Sequence, residues 1–338
     1  MGDDSARRGW ATSTWYVIES AARVKRAPLG LTRFGERLVL FRDASGTVRA
    51  VDARCPHRGA DLSTGRVLSG ELECPYHGFR FDGDGRCAAM PCEGRARHAP
   101  DRMRARAHHV REAHGFVWLW RGESEPIGEP EWLSELPTTL ARSAYAEMVW
   151  RATLTRTMES MMDIHHFPHA HRRIGGGSVG PLLDPYEARL EDGHIRTTGV
   201  LRADDGRPYD GASGQRFRID VRFPSLVHLR LAPRTPAFVA CTPIDDEHTW
   251  IGVRYWVDVP VLGSLLAWLA IRTELGLVQP DDQRISETSS PREPTLAELC
   301  PVRADAGIVL WHRLADRASA ERARRLPLAP REAHRAGP

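Results

Sequence analysis

The chain has 338 residues, 41% of them hydrophobic and 27% charged, and a net charge of +3. That length holds two modest domains or one large one, in the proportions of an ordinary globular protein. So small a net charge leaves no electrostatic footprint for nucleic acid or an anionic membrane. Six cysteines in a chain this long do not make a disulfide scaffold.

The first ten residues, MGDDSARRGW, lack the apolar run of a secretory signal, so a cytoplasmic location is expected. Thr14–Ile18 is β-branched and aromatic and predicts a strand. Arg37–Arg42 and Thr47–Val51 flank Asp43-Ala44-Ser45-Gly46, the pattern of a hairpin. Val67–Glu73, Phe79–Phe81 and His114–Trp120 predict further short strands, with a turn at the DGDG of 82–85. Residues 12–121 therefore read as one compact all-β domain. Gly122, Pro126, Gly128, Pro130 and Pro137 then suit a linker or domain edge.

Beyond it the pattern changes. Arg151–His166 is compatible with helix, Phe217–Val259 holds several strand-like runs, and helices are expected around 262–278 and 305–325. Residues 138–325 thus predict an α+β domain, an antiparallel sheet with helices on it, and 326–338 a disordered tail. Phe217, Phe223, Leu229, Phe238, Trp250, Tyr255 and Trp256 lie in the strand region, most expected in the core and some facing a pocket. The longest apolar stretch, Val261–Val278, is interrupted by Arg272 and Glu274 and is too short to span a bilayer. A helix packed on the core is expected there, with a peripheral membrane contact as the alternative.

Two near-copies of one motif stand in the β domain, Cys55-Pro56-His57-Arg58-Gly59 and Cys74-Pro75-Tyr76-His77-Gly78. Each supplies one thiolate and one imidazole. Zinc accepts such a set tetrahedrally. A Rieske [2Fe–2S] cluster instead places two cysteines on one iron and two histidines on the other. Zinc loops usually pair like with like, whereas here each loop mixes the types, so the spacing favours the two-iron core. Cys87, Cys92, Cys241 and Cys300 have no ligand-like spacing and read as buried or incidental thiols.

A second cluster follows. Glu159 to His171 holds four histidines, His165, His166, His169 and His171, beside Glu159 and Asp163. This concentration predicts a metal site. On a straight helix His165 and His169 would share a face, but Pro168 disfavours a straight helix, and a kink would let His166 and His171 converge.

The stretch CPHRGADLSTGRVLSGELECPYHGFRFDGDGRCAAMP, with the hairpin LVLFRDASGTVRAVDARC before it, closely resembles the Rieske domain of the ring-hydroxylating Rieske non-heme iron oxygenases. Ala60 and Tyr76 stand where respiratory Rieske proteins carry an inter-loop disulfide. The resemblance implies a Rieske domain followed by a helix-grip-like catalytic domain. Cys55, His57, Cys74 and His77 would bind the cluster, and His166 and His171 would bind a mononuclear iron(II), matching the family's D-x-x-H-x-x-x-x-H. His165 and His169 are then left to the surroundings of the metal or the substrate side. The third iron ligand would come from Gln279-Pro280-Asp281-Asp282, with Asp282 fitting best and Asp281 the alternative. Ser160 departs from the Asn found there in many relatives.

The resemblance further implies O2 as co-substrate, electrons from NAD(P)H through a ferredoxin or flavin reductase, and a homotrimer. In that trimer Asp163 would bridge His77 of one copy to His166 of the next. The expected reaction on a small organic substrate is hydroxylation, demethylation, desaturation or cyclisation, monooxygenation before dioxygenation. A Rieske electron carrier or redox sensor is the alternative.

Overall fold

The computed structural model describes residues 10–325 apart from 95–97, 123 and 233; the tail expected at 326–338 lies outside the described residues. The first part of the chain is built of short antiparallel strands: β1 (Thr14–Ser20), β2 (Leu29–Arg33), β3 (Glu36–Arg42), β4 (Val48–Asp52), β5 (Arg66–Leu68), β6 (Glu71–Glu73), β7 (Arg80–Phe81), β8 (Cys87–Ala89), β9 (Ala107–His108), β10 (Val110–Ala113) and β11 (Phe116–Arg121). They form three small sheets, in the orders β1-β11-β10, β2-β3-β4-β9 and β5-β6-β7-β8. Val67–Glu73 is itself a hairpin, turning at Ser69 (φ 52°) and Gly70 (φ 83°), as a two-residue primed turn requires.

The second part comprises β12 (Ser143–Trp150), α1 (Leu154–Met162), α2 (Phe167–Ala170), β13 (Leu182–Glu191), β14 (His194–Arg202), β15 (Gln215–Arg222), β16 (Leu226–Arg230), β17 (Pro236–Pro243), β18 (Thr249–Trp256), α3 (Gly263–Thr273), α4 (Gln279–Thr288) and α5 (Ala306–Arg325). Its sheet is antiparallel throughout, in the order β12-β18-β17-β16-β15-β14-β13. The expected α+β class holds. β12, β13 and β14 were not anticipated as strands. β12 and β13 are the sheet edges, and half of β13 is exposed, so neither carries a sustained apolar run.

Central strands are covered on both faces, and this explains their continuous apolar runs. In β17, Val239 and Cys241 face the helices, where Trp311 and Ala315 of α5 share their cluster. Phe238 and Ala240 face the first part of the chain and join Trp15, Val17, Phe116 and Trp118 there. Phe238, Trp250 and Trp256 thus belong to the seam between the two parts, while Phe217 packs on the helix side. The stretch taken as a linker is pinned into this seam by Trp132, Leu133 and Leu136.

Polar contacts lock the same seam. Thr242 donates to the Val17 carbonyl at 2.5 Å, and the amides of Phe34 and Gly35 donate to the carbonyls of Pro243 and Ile244 at 2.8 and 2.7 Å. The buried Arg33 lies over the Trp250 ring and donates to the Ile18 carbonyl at 2.6 Å, so its charge is not left unpartnered.

As expected, α3 packs on the core, against β12 and β18, with Gly263, Ala267 and Ile271 buried. Leu262, Leu265, Trp268 and Leu269 are exposed. Among the described residues no helix is long and apolar enough to cross a membrane.

Trp311 of α5 is fully buried, and its indole N–H donates to the Pro224 carbonyl at 2.8 Å. Trp311→Ala is expected to cost about 3–5 kcal/mol of unfolding free energy, measured by denaturant titration. A loss below ~1 kcal/mol would show that α5 is not integral to this core.

Candidate metal centres

The two cysteine–histidine loops connect β4 to β5 and β6 to β7, and their backbones match. In the first, Cys55 N–H donates to the Ala60 carbonyl at 2.9 Å and Gly59 N–H to the Cys55 carbonyl at 2.8 Å. In the second, Cys74 N–H donates to the Phe79 carbonyl at 2.8 Å and Gly78 N–H to the Cys74 carbonyl at 3.0 Å. The turn closes through a left-handed residue, Gly59 (φ 77°) or Gly78 (φ 70°), which explains the glycine at each fifth position.

Both cysteines are 2% exposed and unpaired. Burial, with Cys74 beside it, pushes the Cys55 thiol up to about 11, so a metal is needed to hold it as thiolate. The His57 and His77 rings stand 4.7 Å apart, His57 stacks on Phe79, and Tyr76, 60% exposed, covers His77. His57 Nδ1 is buried without a hydrogen-bond partner, as a metal-directed nitrogen would be.

Among the described residues, two sets have ligand atoms that all lie within 4.8 Å of one another: His166/His171/Asp282 and Glu36/Asp52/His108. The loop residues form neither. Their donors are spread wider than one ion spans, which fits a two-iron core better than zinc. Of the other thiols, Cys241 is buried, Cys87 partly so, and Cys92 and Cys300 are exposed.

The His166/His171/Asp282 set is made where α1 stops. Thr153 caps its start by accepting from the Arg156 amide. At Asp163 the chain turns extended (φ −76°, ψ 137°), and the Asp163 carboxylate accepts from the His166 amide at 3.2 Å. A single helical turn, Phe167–Ala170, follows. The helix is therefore broken at Asp163 rather than kinked at Pro168. Pro168 sits in the first turn of the new helix, where its missing N–H costs nothing.

His166 and His171 flank that turn, with their Nε2 atoms 3.1 Å apart. Asp282 Oδ1, from α4, lies 3.3 Å from His166 Nε2 and 3.1 Å from His171 Nε2. Three donors bonded to one metal at about 2.1 Å and mutually perpendicular would be about 3.0 Å apart. The side chains therefore fit one face of a metal's coordination sphere, the geometry of a two-histidine, one-carboxylate triad.

Asp282, not Asp281, meets both Nε2 atoms; Asp281 lies 3.8 Å from the other nitrogen of His171. His165 Nδ1 is 2.9 Å from Asp163, and its Nε2 faces Asp305 at 3.9 Å. His169 is exposed beside Arg172 and takes no part in the cluster. Asp163, Ser160 and Glu159 line a hollow of about 270 Å³ that reaches His166 and Asp282. Sequence reading missed Asp305, and saw Glu274 only as an interruption of an apolar run.

The electrostatics favour a cation. Burial opposes a charge on His166, but Asp163 and Asp282 outweigh it and raise the imidazole to about 10. Burial likewise opposes ionisation of Asp163 and Asp282, yet the neighbouring imidazoles hold both below the usual carboxylate range.

Comparison with known proteins now bears on these sites. Residues 14–101 match the Rieske [2Fe–2S] domain. The chain is 34% identical over 184 residues to the 4beta-methylsterol monooxygenase of Methylococcus capsulatus, covering 52% of this chain and 48% of that protein. It is 32% identical over 200 residues to the oxygenase component of dicamba O-demethylase from Stenotrophomonas maltophilia, covering 58% and 57%. It is 33% identical over 239 residues to the oxygenase subunit of 3-chlorobenzoate-3,4-dioxygenase from Comamonas testosteroni, covering 68% and 55%. The chain thus spans about half the length of these relatives.

The crystal structure of dicamba monooxygenase bound to dicamba superposes with a TM-score of 0.72 at 20% identity, over 93% of this chain and 98% of that one. Pseudomonas putida CBB5 NdmB gives 0.72 at 22% identity, over 92% of each chain. Residues 14–101 of the chain are a Rieske [2Fe–2S] domain. Across both of its parts the chain shares the fold of these solved oxygenase structures, and the matched domain is one that carries a [2Fe–2S] cluster.

A metal ion binds neutral imidazole. Metal uptake by chelator-stripped protein at about pH 8 is therefore expected to release close to one proton per ion, from His166. Calorimetry in two buffers of different ionisation enthalpy reads this directly. No release would mean that His166 is already neutral.

Proposed function

We propose that this protein is the terminal component of a Rieske oxygenase, using O2 and reductase-supplied electrons to oxidise a small organic substrate. Hydroxylation or demethylation, with one oxygen atom incorporated, is the leading reaction class. The observation that carries the reading is the meeting of His166, His171 and Asp282 at 3.1–3.3 Å in a chain that also holds a Rieske domain. An electron carrier has no use for a second, buried ligand set. The names of the relatives, a demethylase, a monooxygenase and a dioxygenase, support the same class.

When bound, the cluster supplies single electrons and the mononuclear iron the place where O2 is reduced. The chain's own residues do the rest. The buried Cys55 and Cys74, and His57 and His77 at the rim, would hold the first group. His166, His171 and Asp282 would hold the second from one side, which suits a metal that also binds small molecules.

Asp163 touches His166 from behind and opens onto the 270 Å³ hollow. In a homotrimer that hollow is where His77 of a second copy would enter. Asp163 would then join the two imidazoles by hydrogen bonds and hold them in register for electron passage. A ferredoxin or flavin reductase is the proposed source of electrons.

Iron analysis tests the reading. About three irons per chain are expected in the loaded protein, falling to about two in His171→Ala with the cluster absorbance intact. Two in the unaltered protein would reduce it to an electron carrier. Asp163→Asn is expected to keep all three irons and the cluster spectrum yet lose at least ~100-fold in turnover. Full turnover in that variant removes Asp163 from the electron path. Incubation with a surrogate reductase under labelled oxygen then counts the atoms transferred to product.

A further inference from the structure

Helix α3 runs into α4 through a turn of π-helix, Glu274–Val278. Such turns insert one residue and re-aim the side chains around it. Here the turn brings Glu274 against the sheet, where the Tyr255 hydroxyl donates to its Oε2 at 3.0 Å. Gln279 Nε2 donates to its other oxygen.

Gln279 lies on the buried face of α4 that also carries Asp282, so this cluster adjoins the metal set. Gln279 is 5% exposed, and its Oε1 has no hydrogen-bond partner. A buried amide oxygen without a donor is costly and points to a donor that arrives with a ligand. Tyr255 and Glu274 are only partly buried. In the cross-strand row through Tyr255, both neighbours are alanines, Ala144 and Ala237.

The cluster is rich in acceptors. Burial, aided by the nearby Asp282, raises the Glu274 carboxyl overall, against the hydrogen bonds from Gln279 and Tyr255. An ammonium or hydroxyl group supplies the donor that Gln279 Oε1 lacks. A carboxylate adds an acceptor to acceptors and brings no donor.

We propose that Tyr255, Glu274 and Gln279 form the polar anchor of the substrate site, and that the substrate offers it a hydrogen-bond donor, an amine or hydroxyl, rather than an anion. The assignment rests on the oxygenase reading of the adjoining site, and it sets the chemical class of what that site oxidises.

Three probes sharing one ring, 3-chlorobenzylamine, 3-chlorobenzyl alcohol and 3-chlorobenzoate, test it by calorimetry on the fully loaded protein without reductant. The amine and alcohol are expected to bind at least about tenfold more tightly than the benzoate. Glu274→Gln, with iron content unchanged, is expected to shrink the amine's advantage about tenfold or more. Tyr255→Phe frees one Glu274 oxygen and is expected to preserve or widen that advantage; it also serves if Glu274→Gln misfolds. Benzoate binding as tightly as the amine, no binding of amine or alcohol, an unchanged ratio in Glu274→Gln, or a narrowed one in Tyr255→Phe overturns the proposal. Binding is read without electrons, so it can fail while iron count and oxygen uptake still uphold the oxygenase, and the reverse.

Discussion

Two imidazoles and a carboxylate packed within 3.3 Å of one another, with His171 1% exposed, are the arrangement on which the rest of the molecule turns. Asp163 adds a second carboxylate behind His166. Left to themselves, these groups hold a proton on His166 far above its ordinary range. A divalent ion satisfies the same negative field with better geometry. Much of the second domain can be read as the scaffold that makes this crowding possible.

That scaffold works by interrupting helices. Stopping α1 at Asp163 and restarting one turn later puts His166 and His171 on either side of a short, stiff segment, with Pro168 set where a proline costs least. The π turn between α3 and α4 performs a similar service for the opposite wall. It lets Gln279 and Asp282 present one buried face while Glu274 is held to the sheet by Tyr255. Uninterrupted helices would carry these side chains in regular steps of about 100° and could not gather them so closely.

The cluster loops are governed by the opposite economy, since they are local. Each is closed by its own backbone hydrogen bonds and one left-handed glycine. The aromatic seam, with Arg33 over Trp250 and Thr242 bound to Val17, then fixes this domain against the sheet that carries the second site. The seam also explains why Phe238, Trp250 and Trp256, plausible pocket residues by composition, are spent on joining the two halves.

The sequence by itself determined what is local: the paired loops, the β domain, the doubly covered strands of 217–259 and the helices near 262–278 and 305–325. Their signals are short-range, a ligand spacing or an apolar run. It also marked His166 and His171, by the crowding of histidines as well as by resemblance to a family pattern, and Asp282 by that resemblance alone. Only the tertiary structure brought Asp282 rather than Asp281 to the two imidazoles, across more than a hundred residues of chain. Only it turned His169 outward, assembled Tyr255, Glu274 and Gln279, and recruited β12–β14, whose mixed sequences carry little strand signal. Those outcomes depend on helix breaks and sheet packing, which act between segments far apart in the chain and leave no periodicity in any one of them.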